Sequence, residues 1–171
     1  MKTPFLLLFA FSALGQKSIS KIIQSSESIS GSSAYLTSPY NTAGDKLYMV
    51  GHQNGTFPPL GWHVKNEMGG IWAHPIKLWD GFSASYQLGN QTIQLDKANQ
   101  FINYPFANEH RYGGQHIQVS RFQFVPDGKA AIYVEYVLEN TTNQNQVVQF
   151  SMEAISNLRP VWLGERTGMI D

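Results

Sequence analysis

The chain has 171 residues, and its 12 basic and 12 acidic side chains leave no net charge at neutral pH. Binding to nucleic acids or to anionic membrane surfaces depends on clustered Lys and Arg, and because the sequence contains no basic block we expect neither partner. The sequence also lacks cysteine, so the core must stabilise the fold without disulfides. A chain of this length is sufficient for one domain of ordinary size.

The first fifteen residues have the features of an export signal. Lys2 supplies a positive charge, residues 4–13 form an apolar run, and Ala13 and Gly15 are small residues at the two positions of a cleavage site. This run is well short of the roughly 20 apolar residues that a membrane-spanning helix needs. We predict a signal peptide at 1–15, a periplasmic, cell-surface or secreted location, and no membrane insertion after processing. The alternative is an ordinary buried first helix.

The next segment, residues 16–33, is rich in serine and weakly patterned. This composition predicts a leader or linker, with Ile19, Ile22 and Ile23 as candidates for a short edge strand. The folded domain is therefore expected to cover residues 34–171.

Short strand-like runs separated by Gly, Pro and Asn turns fill this domain. No segment has a sustained helical period, and recurring short strands of this kind are typical of an antiparallel β-sandwich. The fold class predicted is therefore all-β. The runs before the last third of the chain are residues 35–37, 47–50, 82–88, 91–95 and 100–104.

The last third alternates most regularly between apolar and polar residues. Residues 130–138 and 146–154 both have the period of two that a half-buried strand needs, and the polar turn 140–145 is predicted to join them as a hairpin. Just before them, the apolar positions change phase at Ser120 and Arg121, which predicts a β-bulge or a bend there.

The stretch from Pro58 to Phe82 combines large aromatic rings with hydrogen-bonding side chains. Core packing is the default interpretation of its tryptophans, because aromatic side chains dominate β-sandwich cores. The alternative is a surface that stacks rings on a sugar and bonds its hydroxyl groups. The candidate substrate-binding or domain-interface residues are Trp62, His63, Lys65, Glu67, Trp72, His74, Trp79 and Asp80.

Catalytic and metal-binding motifs are not found in the sequence. There is no H-E-x-x-H pair, no G-x-S-x-G elbow and no Gly-rich phosphate loop, so we expect no metal and no cofactor. Glu67 and Asp80 are the remaining candidates for a pair of glycosidase carboxylates. Both also fit turns, Asp80 before Gly81 and Glu67 before Gly69 and Gly70. We therefore expect no catalytic residue in this chain.

Several motifs together resemble one known group of enzymes. The sequence GWHVKNEMGGIW at 61–72, with HPIKL at 74–78 and DGF at 80–82, is similar to the N-terminal region of exported bacterial proteins of the glycogen-debranching type. That group is the amylo-α-1,6-glucosidase-like, six-hairpin glycoside hydrolases. The segments LTSPYNTAGD at 36–45 and LRPVW at 158–162 also look similar to it.

This resemblance implies a supersandwich-like β domain that precedes a helical catalytic barrel. In such enzymes the barrel carries the acid and base carboxylates, and this sequence contains no barrel. The expected function is therefore a non-catalytic N-terminal domain whose partners are an α-glucan-like carbohydrate and the helical catalytic domain of the same parent protein, of which this chain would be a truncated part. The alternatives are a free-standing carbohydrate-binding or adhesion module of the cell envelope, and an envelope β domain with an unrelated partner.

Overall fold

The computed structural model describes residues 18–61 and 65–160, so the predicted signal peptide at 1–15 lies outside the described residues. The described part consists mainly of β-strands, with one short α-helix and one short 3₁₀ helix. The elements are α1 (Ile19–Ile23), β1 (Ile29–Ser30), a 3₁₀ helix (Ser33–Tyr35), β2 (Pro39–Ala43), β3 (Tyr48–His52), β4 (Gly70–Ala73), β5 (Ile76–Leu88), β6 (Gln91–Gln94), β7 (Gln100–Asn103), β8 (Ala107–Tyr112), β9 (Ile117–Phe124), β10 (Tyr133–Asn140) and β11 (Val148–Pro160).

The strands form two antiparallel sheets that pack face to face. Sheet A has the order β1-β7-β8-β9-β10, and sheet B has the order β11-β5-β4-β3-β2, with β6 pairing β5 at its C-terminal end. The predicted all-β sandwich is therefore confirmed, and residues 18–61 and 65–160 form no helical barrel.

Two apolar clusters fill the space between the sheets. One joins Met49 and Phe82 of sheet B to Phe101 of sheet A, and the other joins Tyr86 of sheet B to Val119 of sheet A. Burying a side chain of this size stabilises the fold by about 1.5–3 kcal/mol. These contacts between residues distant in sequence provide the stability that disulfides cannot give here.

Within the described part of the serine-rich segment, α1 packs onto the sandwich and β1 pairs with β7. Ile23 of α1 is 1% exposed and lies against Ile102 and Phe122 on the outer face of sheet A. The Ser20 backbone N–H donates to Glu135 Oε2 at 2.7 Å. The isoleucines thus form a helix instead of an edge strand. No helix of the described ranges is long and apolar enough to span a bilayer.

Of the predicted bulge or bend at Ser120 and Arg121, the bulge is wrong, because β9 pairs without a register shift with both β8 and β10. The change of apolar phase has a different cause. The inner face of β9 carries Arg121 into the sandwich interior, while its outer face places Phe122 beneath α1. A strand buried on both faces has no need to alternate.

The predicted hairpin between the last two strands is also wrong. β10 pairs β9 in sheet A, whereas β11 pairs β5 in sheet B, so the turn at 140–145 carries the chain from one sheet to the other. The predicted strand at 35–37 is wrong as well, since the 3₁₀ helix Ser33–Tyr35 and its following turn occupy it.

Candidate functional site

Six of the eight candidate site residues lie in the described ranges, in β4, β5 and the turns next to them. Trp62 and His63 lie outside the described residues. Lys65 is exposed in a turn, and His74 is exposed in the turn between β4 and β5. Glu67 and Asp80, by contrast, are half-buried and are brought together by contacts with shared partners.

Trp72 of β4 is a buried part of this region. Its side chain is 3% exposed, and its ring is parallel to that of Tyr48, with the centroids 6.3 Å apart. The indole Nε1 donates to the Gly69 carbonyl at 3.2 Å. A ring enclosed in this way is part of the packing of sheet B and offers no face to a sugar.

Trp79 of β5 also serves packing. It is half-buried and lies against the apolar cluster that contains Phe82. Close by, Gly81 has a φ of 145°, and a Cβ there would collide with the Phe57 ring. This close approach requires glycine, and it brings residues 57–59 next to Asp80.

Lys77 is the centre of an ionic network that the sequence did not reveal. Its side chain is 3% exposed, and Nζ lies 3.0 Å from Glu67 Oε2 and 2.7 Å from Asp80 Oδ1. The ammonium group also lies 5.8 Å from the centroid of the Trp72 ring. One buried cation therefore contacts both carboxylates of the candidate pair.

β11 completes the network from the other side. Arg159 Nη1 lies 2.5 Å from Glu67 Oε1, and Asn157 Nδ2 donates to Asp80 Oδ1 at 2.8 Å and to Glu67 Oε2 at 3.3 Å. Register shifts between Ile155 and Arg159 interrupt the pairing of β11 with β5 at this point. The network thus ties the turn at Glu67 to two strands with two acidic and two basic side chains.

The electrostatics of the network keep Asp80 ionised. Burial by itself would raise the pKa of the Asp80 carboxyl, but hydrogen bonds from Lys77 and Asn157 and the charges of Lys77 and Arg159 outweigh it and lower that pKa. A glycosidase acid needs the opposite shift, because it must be protonated near neutral pH. Asp80 is therefore unsuited to be the acid of a catalytic pair.

A cleft of about 300 Å³ lies beside the network. This volume is at the lower end of the range of roughly 300–1,000 Å³ found for small-molecule sites. Its wall has an apolar part, formed by Phe57, Pro58 and Pro59, and a polar part, formed by Asn66, Glu67, Gly69, Lys77 and Asp80. Apolar walls with a few polar anchors suit an uncharged polar ligand such as a sugar.

A second polar cluster lies inside the sandwich and was also missed. Arg121 is 1% exposed, and its Nη1 donates to the Gly55 carbonyl at 2.9 Å while Nη2 lies 3.2 Å from the His110 ring nitrogens. Its guanidinium carbon lies 5.2 Å from the centroid of the Phe82 ring. Within the described ranges, no Asp or Glu forms an ion pair with Arg121.

His110 is the neutral partner of this cation. Burial first, and then the charge of Arg121, hold the pKa of the His110 ring well below its usual value, against a backbone hydrogen bond with His52. A neutral imidazole can accept a hydrogen bond from Arg121. The cluster therefore connects sheet A to the loop at Gly55 and to Phe82 of sheet B.

Glu109, a fully buried acid of β8, belongs to neither cluster. It accepts from the Tyr104 hydroxyl at 2.7 Å and from Arg111 Nε at 2.5 Å, in sheet A. It thus cannot form a pair with Glu67 or Asp80. Across the part of the chain that the structure describes, no group of three or more His, Asp or Glu side chains is arranged to hold a metal ion.

Comparison with known proteins identifies no relative of this chain: no protein-family model matches it, and no curated protein or solved structure matches it significantly.

Proposed function

We propose that the chain is the non-catalytic N-terminal β domain of an exported glycoside hydrolase that acts on α-glucan-like carbohydrate. Its role is to support a helical catalytic barrel of the same parent protein. The glycogen-debranching-like substrate class and the exported location rest on the motifs at 36–45, 61–82 and 158–162 and on the predicted signal peptide. Its place is thus the periplasm, the cell surface or the medium.

One observation supports the non-catalytic role above all others. Glu67 and Asp80 both contact Lys77, and Asn157 bridges the same two carboxylates. Carboxylates held in this way stabilise a turn on a sheet. A hydrolase pair instead requires one carboxyl that stays protonated and one that faces the substrate.

The reading frame beyond the codon for Asp171 tests the parent enzyme. We expect an in-frame continuation that encodes a helical barrel with its own acid and base. In that parent, substituting the barrel carboxylates should abolish hydrolysis of an α-glucan, while Glu67→Gln should leave turnover per folded molecule close to that of the wild type. A stop codon at this point, or loss of turnover in a fully folded Glu67→Gln enzyme, would contradict the proposal.

A free-standing carbohydrate-binding module is the second candidate, and the cleft beside Phe57, Pro58 and Pro59 favours it. Titration of the purified chain with malto-oligosaccharides, followed by tryptophan fluorescence, tests this function. A binding module should lose affinity in Asp80→Asn and keep it in Glu139→Gln, a matched change at an exposed carboxylate of sheet A. If fluorescence and calorimetry both detect no binding, the supporting domain is favoured.

A further inference from the structure

Lys77 of β5 and Asn157 of β11 contact the same two carboxylate oxygens. Lys77 Nζ lies 3.0 Å from Glu67 Oε2 and 2.7 Å from Asp80 Oδ1. Asn157 Nδ2 lies 3.3 Å and 2.8 Å from the same two atoms. The amine and the side-chain amide are therefore no more than two hydrogen bonds apart. A lysine, an asparagine and a carboxylate in mutual contact supply the nucleophile, the acyl group and the acid–base group for an amide bond between two side chains.

An irregularity in the pairing of β11 with β5 brings Asn157 to this position. Ser156 pairs with Trp79 and Arg159 pairs with Lys77, so β11 has two residues between these pairs where β5 has one. A bulge of this kind turns a side chain away from the direction that regular alternation would give it. The amide of Asn157 is thereby directed at the two carboxylates instead of at the solvent.

The surroundings of the Lys77 amine suit an intramolecular reaction. The Lys77 side chain is 3% exposed, and Nζ lies 5.8 Å from the centroid of the buried Trp72 ring. Asp80 Oδ1 holds both nitrogens in place through its contacts with Nζ and with Nδ2 of Asn157. Two groups fixed next to each other in this way react without an encounter in solution, which lowers the barrier to bond formation.

We propose that Lys77 and Asn157 join in an amide bond that forms within the chain and needs no cofactor. Glu67 Oε2 takes a proton from the Lys77 ammonium group, and the free amine attacks Cγ of Asn157. The bond from Nζ to Cγ forms, the bond from Cγ to Nδ2 breaks, and Glu67 passes its proton to the departing nitrogen. The second proton that the amine loses leaves with the ammonia. One ammonium group and one primary amide thus become one secondary amide and one ammonium ion, without an oxidant or a reductant.

The bond would connect β5 covalently to β11 in a chain that has no cysteine. A link between residues distant in sequence stabilises a fold mainly by constraining the unfolded chain, as a disulfide does. This inference goes beyond the proposed function, because the bond would serve the domain with or without a catalytic barrel or a sugar.

The mass of the purified chain tests the bond. Mass spectrometry under denaturing conditions should give a mass lower than the sequence requires by one molecule of ammonia. Trypsin digestion locates the loss, because trypsin cleaves neither after a linked Lys77 nor at the bond from Arg159 to Pro160. Residues 66–97 should therefore appear joined to residues 130–166 in one branched fragment. Stability is not a suitable readout, since variants of these residues also lose the ion pairs.

Substitutions of the three reacting residues identify the origin of the lost ammonia. Lys77→Arg keeps a cation that cannot be deprotonated in proteins, and Asn157→Ala lacks the acyl carbon, so both should have their full sequence mass. Glu67→Gln cannot carry the proton and should form the bond roughly a hundredfold more slowly after refolding. Lys46→Arg, the same substitution at an exposed lysine, is the control and should lose ammonia as the wild type does. Circular dichroism checks that each variant is folded.

A wild-type chain of full sequence mass, with no branched fragment, would overturn the proposal. Loss of ammonia that persists in folded Lys77→Arg or Asn157→Ala would also overturn it, because the ammonia would then come from another part of the chain. A folded Glu67→Gln protein that forms the bond as fast as the wild type would overturn the proton transfer through Glu67.

Discussion

Two regions of this sandwich keep a cation away from water by different means. In β5 of sheet B, Lys77 is compensated by two carboxylates, and Arg159 balances the extra negative charge. In the interior, the partners that the described residues supply to Arg121 are neutral, namely a carbonyl, an imidazole, tyrosine hydroxyl groups and aromatic rings. The comparison shows that the carboxylates around Lys77 and the histidine beside Arg121 serve two different structural roles. One fastens a turn to the sheet, and the other joins the two sheets.

The largest effect is expected from the interior cation. Arg121→Ala removes the bonds to Gly55 and His110 and leaves a cavity, so we expect the free energy of unfolding to fall by about 4 kcal/mol. Arg121→Met fills more of the space without a buried charge, so its free energy of unfolding should fall clearly less than that of Arg121→Ala. Urea denaturation of the three proteins gives both numbers. Equal losses in the two variants would mean that volume is irrelevant and that the hydrogen bonds alone matter.

The paired network should respond less strongly. Lys77→Met leaves Glu67 and Asp80 close together without their shared cation, at a cost of about 2 kcal/mol, which is less than for a fully buried pair because water reaches both carboxylates. Adding Glu67→Gln and Asp80→Asn to Lys77→Met should restore part of the lost stability, because the two uncompensated charges are then removed. Lys46→Met, at an exposed lysine, is the control and should be neutral. A triple variant no more stable than Lys77→Met would show that the cation does not act through these carboxylates.

The next largest effect is the pH dependence of stability that the interior cluster at His110 should cause. Because the pKa of His110 is held below its ordinary value of 6.5, the folded state binds fewer protons than the unfolded state between these two pKa values. Stability should therefore fall as the pH drops below 6.5, by up to about 1.4 kcal/mol per pH unit. Urea titrations at several pH values should show this slope in the wild type.

His110→Gln should remove most of that slope. A smaller part should remain, since burial also lowers the pKa of His52. His116→Gln, the same substitution at an exposed histidine, serves as the control. An unaltered slope in His110→Gln would contradict the account of the interior cluster.

The smallest effect belongs to Asp80. Its pKa is lowered in the folded state, so its contribution to stability is present above the ordinary value of 3.8 and is lost as the pH falls through the folded-state pKa. Asp80→Asn should flatten the stability profile at this acidic end and change it little elsewhere. Because the Asp80 side chain is 42% exposed, solvent screening keeps the effect below that of Lys77→Met. A profile as steep as that of the wild type would contradict this role.

The sandwich could be predicted from the sequence because its strands carry local signals. Period-two alternation marks residues 130–138 and 146–154, and glycine, proline and asparagine mark the turns. The partners of these strands carry no such signal. The alternation in β10 and β11 is the same whether the two pair with each other or lie in different sheets, so the hairpin prediction was wrong.

The site was only half predictable for the same reason. Glu67 and Asp80 stood out in the aromatic stretch, but Asn157 is 90 residues from Glu67 and acts only through the pairing of β11 with β5. Arg121 looked like a break in an apolar pattern and was interpreted as a bulge or a bend. Its burial depends on Phe82 of sheet B and on the loop at Gly55, neither of which the sequence places beside β9. In both regions, contacts between residues distant in sequence determine the structure, and the sequence carries no local signal for them.

Hydrolysis by the purified chain tests the central claim that Glu67 and Asp80 serve the fold. Release of reducing sugar from malto-oligosaccharides and from a branched α-glucan is measured for the wild type, Glu67→Gln and Asp80→Asn. We expect no turnover above the blank in any of the three. Turnover by the wild type that disappears in either folded variant would contradict the claim and would make this region an active site.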